Sequence, residues 1–267
     1  MMQGKYRFTV IFVLFMLLLV LAGCGQNDVP AEETGTLVFT ANGEEFIRDG
    51  FESKDGWEMD FSHAYITLSE ITAYITDPAY DVADGWEINA QETVTLPGTF
   101  TVDLAAVDAD PAILGQQDAV PAGHYNALSW AMVRAQDGPA DGYMLLLTGT
   151  ATRDGETINF TLHFEEELES RGGEYIGDER KGIVNAGDSA DVEATFHFDH
   201  LFGDAGEDLG EELNQKALGF DPFAALAKDG ELNMSSTDLS AGDYEKLKTI
   251  FLNLAHLGEA HSLTRFR

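Results

Sequence analysis

The sequence has very little cysteine: Cys24 is the only one among 267 residues. If the thiol of Cys24 is chemically blocked, no thiol remains for a disulfide, a thiolate metal site or a cysteine nucleophile. The fold must therefore be stabilised by burial of its own core.

Basic residues are also scarce, with 15 Lys and Arg against 47 Asp and Glu, for a formal net charge of −32. Two basic residues and no acidic ones precede Cys24, so the chain after it has 13 basic and 47 acidic residues, or −34. This balance excludes a nucleic-acid partner and adsorption to anionic lipid, since both need clustered cations. It is typical of a solvated surface in a salt-tolerant organism. A surface that gathers cations is a compatible interpretation.

Complete catalytic motifs are missing too. Ser129 lacks the Gly-x-Ser-x-Gly elbow, and no Gly-rich phosphate loop or Rossmann fingerprint occurs. His256 and His261 do not have the His-Glu-x-x-His spacing of metalloproteases. We therefore expect a protein that is not an enzyme, with an unrecognised hydrolase as the minor alternative.

Residues 1–23 have the pattern of a signal peptide. Lys5 and Arg7 precede an apolar run at 10–21, and Leu-Ala-Gly-Cys follows at 21–24. This tetrapeptide resembles the lipobox of bacterial lipoproteins. The resemblance implies cleavage before Cys24 and lipid on its thiol and new amino terminus. The protein would then be an extracytoplasmic protein of the cell envelope, periplasmic or on the outer surface, tied to the membrane by lipid only. The alternative is an uncleaved anchor helix, but the run is shorter than the ~20 residues that spanning requires.

The remaining chain predicts a mainly β protein. Residues 24–35 form a polar tether, and 36–267 form the domain. Trp57, Met59 and Phe61 alternate with polar residues, and the segments 143–151 and 156–165 flank an Asp-Gly turn as in a hairpin. We predict a β-sandwich of about 8–10 antiparallel strands with a C-terminal helical segment at about 214–257. Its best helix begins at the N-cap Ser240.

Three further segments are predicted from weaker patterns. Residues 92–104 read as two short strands around a Pro97-Gly98 turn. Residues 105–119 have weak helical or loop character, and the acidic stretch 165–187 reads as a long loop.

The segment 191–204 carries the candidate site. On a strand, His197 and Asp199 share a face opposite Phe196 and Phe198, so they leave the core together. His200 points the other way unless the strand ends, and Gly203 favours such an ending. Two imidazoles and a carboxylate are ligands for Zn²⁺ or Cu²⁺. The alternative is a row of exposed polar residues on a strand.

Two other histidines are candidates to complete the metal's ligand shell. His163 leaves the core on a neighbouring predicted strand. His63 follows the face of Trp57, Met59 and Phe61, where the alternative is a core or boundary histidine that is hydrogen-bonded to the backbone. Calcium is a second candidate cation, since the glycine-broken loop 203–212 offers hard oxygen ligands, although without EF-hand spacing. Its carboxylates are Asp204, Glu207, Asp208, Glu211 and Glu212.

The segments 61–74, 121–132, 142–151 and 194–202 occur in an order that resembles periplasmic copper-handling lipoproteins of the methanobactin-binding-like β-sandwich kind. The likeness covers strand order and phrases such as Pro-Ala-Gly-His-Tyr at 121–125. It implies a metal-handling sandwich and carries no ligand set. We therefore expect a divalent transition metal, bound for uptake or sensing, with a metal transporter or envelope protein as partner. The alternative is a metal-free adhesion or assembly module.

Overall fold

A computed structural model describes residues 33–106, 108, 111–175 and 181–267 of the chain. The predicted signal peptide, Cys24 and all but the last residues of the predicted tether lie outside these ranges. In the described part of the chain, no helix is both long and apolar enough to cross a membrane.

The prediction of a mainly β protein is confirmed. Strands make up 50% of the described residues and helices 16%, with several sheets packed together as in a β-sandwich. The described residues form 16 strands, in sheets of five, nine and two, which is more than the predicted number. Two strand pairs of the described residues are parallel and so depart from the predicted antiparallel pairing: Thr34–Asn42 with Ser189–Phe196, and Glu231–Ser235 with Glu156–Phe164.

The strands are β1 (Thr34–Asn42), β2 (Phe51–Glu52), β3 (Glu58–Thr76), β4 (Ala90–Asp103), β5 (Ala112–Pro121), β6 (Gly123–His124), β7 (Ala127–Met132), β8 (Leu145–Arg153), β9 (Glu156–Phe164), β10 (Leu168–Gly173), β11 (Ile183–Val184), β12 (Ser189–Phe196), β13 (Glu231–Ser235), β14 (Ala255–Leu257), β15 (Ala260–His261) and β16 (Leu263–Phe266). The α-helices are α1 (Glu44–Asp49), α2 (Asp199–Phe202), α3 (Glu212–Lys216), α4 (Asp221–Ala224) and α5 (Ala241–Phe251), and short 3₁₀ turns lie at Val82–Asp84 and Ser236–Asp238.

The two larger sheets share one hydrophobic core. The smaller has the order β15-β14-β12-β1-β5, and the larger runs β13-β9-β8-β3-β7-β10-β16 with β2 and β4 also paired to β3. Phe39 and Phe196 of the smaller sheet belong to the same buried cluster as Ile66, Trp130 and Leu147 of the larger. Removal of these apolar faces from water is the main force that holds the sheets together.

The hairpin of β8 and β9 forms where the sequence predicts it. Arg153 pairs with Glu156, so Asp154 and Gly155 alone make the turn. Both have positive φ, 52° and 83°, as a type I′ turn requires. The alternation along β9 is also observed, since Ile158, Phe160 and Leu162 are all buried.

Three weaker predictions are wrong. Of residues 92–104, all but the last belong to one strand, β4, because the irregularity at Pro97-Gly98 is absorbed as a register shift against β3. The strand β5 occupies much of 105–119, where pairing with β1 decides the conformation. The strands β10 and β11 lie within the predicted loop 165–187, since β10 inserts between β7 and β16. Tertiary pairing overrides weak local preference in each case.

The C-terminal region mixes helices with strands. Ser240 caps α5 as predicted, its hydroxyl accepting a hydrogen bond from the Asp243 amide. The helix ends at Phe251, six residues before the predicted end, and the strand β14 begins at Ala255. That early end places His256 in a sheet.

Candidate metal centre

The centre begins where β12 ends. Along the last part of β12 both faces are buried, with Phe196 on one face and Thr195 on the other. The amide of His197 extends the ladder by donating to Leu254 O at 3.0 Å. The chain then turns into the single turn α2, which brings Asp199 and His200 back beside His197. The predicted ending of the strand is therefore observed, but His197 is only 6% exposed and does not face solvent.

Gly203 ends α2 in a conformation that other residues rarely adopt. Its φ is 72°, and its amide donates to Asp199 O at 2.6 Å. A Cβ built on Gly203 would lie 2.5 Å from Asn214 Oδ1 and 2.6 Å from the Cβ of Lys54. Any larger residue would therefore displace α2 and with it His200.

The second part of the centre is the hairpin of β14 and β15. His256 pairs with Thr195 of β12 on one side and with His261 of β15 on the other. The turn uses Gly258, with φ 58°, and Glu259. Directly paired residues project to the same face of a sheet. His256 and His261 are thus held side by side next to His197.

Four imidazoles consequently meet in one cluster, with His256 at its centre. The ring centroid of His256 lies 4.2 Å from that of His197, 5.1 Å from that of His200 and 4.7 Å from that of His261. The rings of His197 and His200 are 5.5 Å apart. We call His197, His200, His256 and His261 the histidine cluster. His256 is 3% exposed, whereas His261 faces solvent.

One backbone carbonyl sets the tautomers of two of these rings. Asn253 O lies 2.7 Å from Nδ1 of His200 and 3.0 Å from Nε2 of His256. A carbonyl oxygen only accepts hydrogen bonds, so both of these nitrogens are protonated. In the neutral rings the lone pairs are therefore on Nε2 of His200 and Nδ1 of His256. The latter nitrogen is buried and has no hydrogen-bond partner.

His197 is held differently, by a carboxylate. Its Nδ1 lies 3.1 Å from Oε2 of Glu44, and its Nε2 is 3.3 Å from Gly258 O. Glu44 has a φ of 60°, and its amide donates to Asn42 Oδ1 at 2.8 Å, which fixes this carboxylate at the start of α1. The longer contact, to Gly258, is the weaker one. A metal ion would therefore replace the Nε2 proton and its contact with Gly258 O, while Glu44 keeps Nδ1, the usual carboxylate–histidine–metal arrangement.

Proton affinities within the cluster diverge. Burial and the three neighbouring histidines lower the pKa of His256 to about 3. Burial is also the main reason that the pKa of His200 is lowered and that of Asp199 is raised. Burial opposes protonation of His197 as well, but Glu44, together with Gly258 O and Asp199, outweighs it and raises the pKa of His197. At neutral pH, His200 and His256 are thus available as neutral ligands.

Part of the cluster has the spacing of a metal site. One ligand atom each of His197, Asp199 and His200 can be chosen so that all three lie within 4.8 Å of one another. Neighbouring ligands of a tetrahedral zinc ion are roughly 3.3 Å apart, given metal–nitrogen bonds of about 2.0–2.1 Å. Small rotations of the rings would therefore close the group on an ion. Among the described residues, no other set of His, Cys, Asp and Glu meets this spacing.

The structure does not bring His163 and His63 to this cluster. His163 lies on β9 of the larger sheet, with Nε2 2.9 Å from Asn233 Oδ1 and its ring against Tyr143. His63 lies on β3, where Nδ1 is 2.7 Å from Asp103 Oδ2. These contacts give each ring a local partner within its own sheet. Neither His163 nor His63 belongs to the group of His197, Asp199 and His200.

His256 and His261 are the cluster members that sequence reasoning missed. The pattern at 240–257 reads as a continuous helix, which hides the hairpin that follows. A signal was nevertheless present, since Gly258-Glu259 between Leu257 and Ala260 suits a two-residue hairpin turn with glycine first. Such a turn places residues 256 and 261 opposite each other.

Hydrogen bonds from the side chain of Asn214 hold the acidic loop 203–212 in place. Asn214, 2% exposed, donates through Nδ2 to the carbonyls of Asp204, Glu207 and Asp208 and accepts the Asp204 amide through Oδ1. The carboxylate of Glu212 pairs with Lys216. In the described residues, the carboxylates of this loop do not form a converging group of three ligands. Calcium binding here stays an untested prediction.

Comparison with known proteins yields no relative: no protein-family model, curated protein sequence or solved structure matches this chain. The histidine cluster is therefore the basis for the function proposed below.

Proposed function

We propose that this protein binds one divalent transition-metal ion, Zn²⁺ or Cu²⁺, at the histidine cluster and Asp199, and that it is a binding protein rather than an enzyme. Imidazole suits both ions, and a carboxylate beside imidazoles is a common addition to zinc sites. The ligands would be His197, Asp199 and His200, whose ligand atoms lie within 4.8 Å of one another, with His256 or the exposed His261 as a fourth ligand after its ring turns.

The observation that carries the proposal is the convergence of His197, Asp199 and His200 beside the buried, unpartnered Nδ1 of His256. A buried nitrogen with no partner is costly unless something binds it. His163 also has an unpartnered Nδ1, but its ring packs against Tyr143. Around His256 there are three other imidazoles, those of His197, His200 and His261. A bound cation would satisfy the orphan nitrogen and use the neighbouring lone pairs together.

The strongly negative chain supports the same proposal. With a net charge of −32, the protein raises the local concentration of divalent cations near its surface. The pKa values in the cluster favour neutral His200 and His256, so a metal would displace few protons there at neutral pH.

The cellular role follows from the predicted lipobox. A lipid on Cys24 would hold the domain at the outer side of a membrane, in the cell envelope, where it could pass metal to a transporter or report its level to another envelope protein. The resemblance to copper-handling lipoproteins is in line with this role. The choice between uptake and sensing depends on the partner.

The test is elemental analysis of the purified protein followed by titration with Zn²⁺ and Cu²⁺. We expect one ion per chain, with binding lost in the double variant His197→Ala, His200→Ala. A matched control is His63→Ala, which removes an imidazole from the larger sheet and leaves the cluster intact. Stoichiometric binding that survives the double substitution unchanged would disprove this site. A complete absence of binding would favour the metal-free adhesion or assembly module.

A further inference from the structure

A cavity of about 480 Å³ adjoins the histidine cluster. His200 and His261 are on its wall, together with Asn253, whose carbonyl fixes two of the cluster's rings. The remaining wall comes from α3 and α5. The volume lies within the range of small-molecule sites. A molecule in this cavity would therefore be in reach of a metal bound by His200.

The charge of the cavity wall is unusual for this protein. Two lysines, Lys216 and Lys246, line it, whereas Glu212 is the single carboxylate among its lining residues. Glu212 is already paired with Lys216, and both side chains of that pair are largely exposed. In a chain with 47 acidic residues, a cavity that has more cations than carboxylates is an exception that favours an anionic occupant.

Lys246 is the cation best placed for such an occupant. Its Nζ donates to Gln215 O over 3.3 Å, a long contact, and in the described part of the chain it has no ion pair. The nearby Lys54 is committed elsewhere, since its Nζ donates to Asn214 O at 2.9 Å and Ala217 O at 2.5 Å. Burial, and after it the positive charge of Lys246, lowers the pKa of Lys54. The charge of Lys246 is thus not neutralised by its surroundings.

We infer that this cavity binds a small polycarboxylate anion, one carboxylate of which coordinates the metal ion while another pairs with Lys246. This inference rests on the proposed metal site. Zn²⁺ can expand from four to five ligands, so a metal ion held by protein side chains can accept one further oxygen ligand. A carboxylate in the cavity can supply that ligand, because His200 has its lone pair on Nε2 and stands on the cavity wall. The protein would accordingly take up the metal as a carboxylate complex.

The experiment is equilibrium dialysis of radiolabelled citrate against the purified protein, with and without one equivalent of Zn²⁺. We expect one citrate per chain with Zn²⁺ and none without it. Lys246→Gln should weaken citrate retention about tenfold, the effect of losing one charge-assisted contact, and leave Zn²⁺ affinity in citrate-free buffer unchanged. Lys246→Arg should retain most of the citrate.

The matched control is Lys248→Gln, which makes the same charge change on the same helix, at a lysine that pairs with Glu245 and is not among the cavity's lining residues. If Zn²⁺ binds but citrate is not retained, the inference is wrong and the metal site stands. The same conclusion follows if Lys246→Gln and Lys248→Gln retain citrate equally. If citrate binds equally well without Zn²⁺, the metal-bridged arrangement is overturned. If Zn²⁺ itself does not bind, the proposed function fails and the inference fails with it.

Discussion

Replacement of His256 by alanine is the most direct way to probe the centre. His256 has the shortest ring distances in the cluster and the one buried imidazole nitrogen there that lacks a partner. Structural zinc sites bind with an apparent free energy of about 10–16 kcal/mol from four ligands, or about 3 kcal/mol per ligand. Loss of one ligand should thus weaken Zn²⁺ binding about 100-fold, since each 1.4 kcal/mol is a factor of ten.

The folded state should tolerate this change. Removal of the ring forfeits packing contacts, but it also removes the orphan Nδ1 and the burial of a titratable group. We expect His256→Ala to lower the free energy of unfolding of the metal-free protein by about 1–2 kcal/mol. Circular dichroism would verify that the variant folds before its metal affinity is compared.

The assay is competition with a chromophoric zinc chelator near neutral pH. His163→Ala is the control, because His163 also has an unpartnered Nδ1 but lies on β9 with Asn233 as its partner. We expect His163→Ala to bind Zn²⁺ within about threefold of the unmodified protein. A ligand role for His256 is refuted if His256→Ala binds Zn²⁺ as tightly as the unmodified protein. It is also refuted if His256→Ala and His163→Ala lose the same affinity for Zn²⁺.

Three further predictions concern the metal-free fold. The pKa of His256 is about 3 in the fold and near 6.5 when unfolded, so the unfolded chain binds more protons between these values. The associated stability, about 3–5 kcal/mol, is present above pH ~6.5 and is lost as pH falls towards 3. In urea titrations, His256→Asn should therefore show a smaller loss over this range than the unmodified protein, and an equal loss would contradict the assignment. Asn214→Ala should cost about 2–4 kcal/mol in the same assay, because it leaves three loop carbonyls without their donor; Asn233→Ala, at an exposed contact, should cost much less. Thermal melts should shift upwards between about 0.1 and 1 M NaCl, since salt screens the repulsion of a chain with charge −32. A melting temperature that falls with salt would show that self-repulsion does not limit stability.

The parts of the fold that sequence predicts best are those with strong local signals. Asp154-Gly155 can adopt positive φ at little cost, so the hairpin of β8 and β9 has one turn geometry available. Ser240 supplies the hydroxyl that an exposed helix amide needs, which fixes the start of α5. Each of these features depends on residues that are neighbours in the chain.

The strands β5 and β10 illustrate the opposite case. Their sequences lack clear alternation of apolar and polar residues, and they become strands because β1, β7 and β16 offer unpaired edges to them. The hydrogen bonds that stabilise these strands come from residues far away in sequence. Local propensity therefore has little influence there.

By itself, the sequence determined the acidic character, the single cysteine in its lipobox-like context, the mainly β fold and the proximity of His197, Asp199 and His200. These follow from composition, from alternation and from residues within four positions of one another. Tertiary structure alone decided that His256 and His261 join them while His163 and His63 do not. Such a site is assembled by pairing β14 with β12 and by the turn at Gly258, and cross-strand neighbours share no spacing along the chain. The packing of the sheet excludes water from His256. For that reason its Nδ1 has no hydrogen-bond partner, which the sequence alone does not reveal.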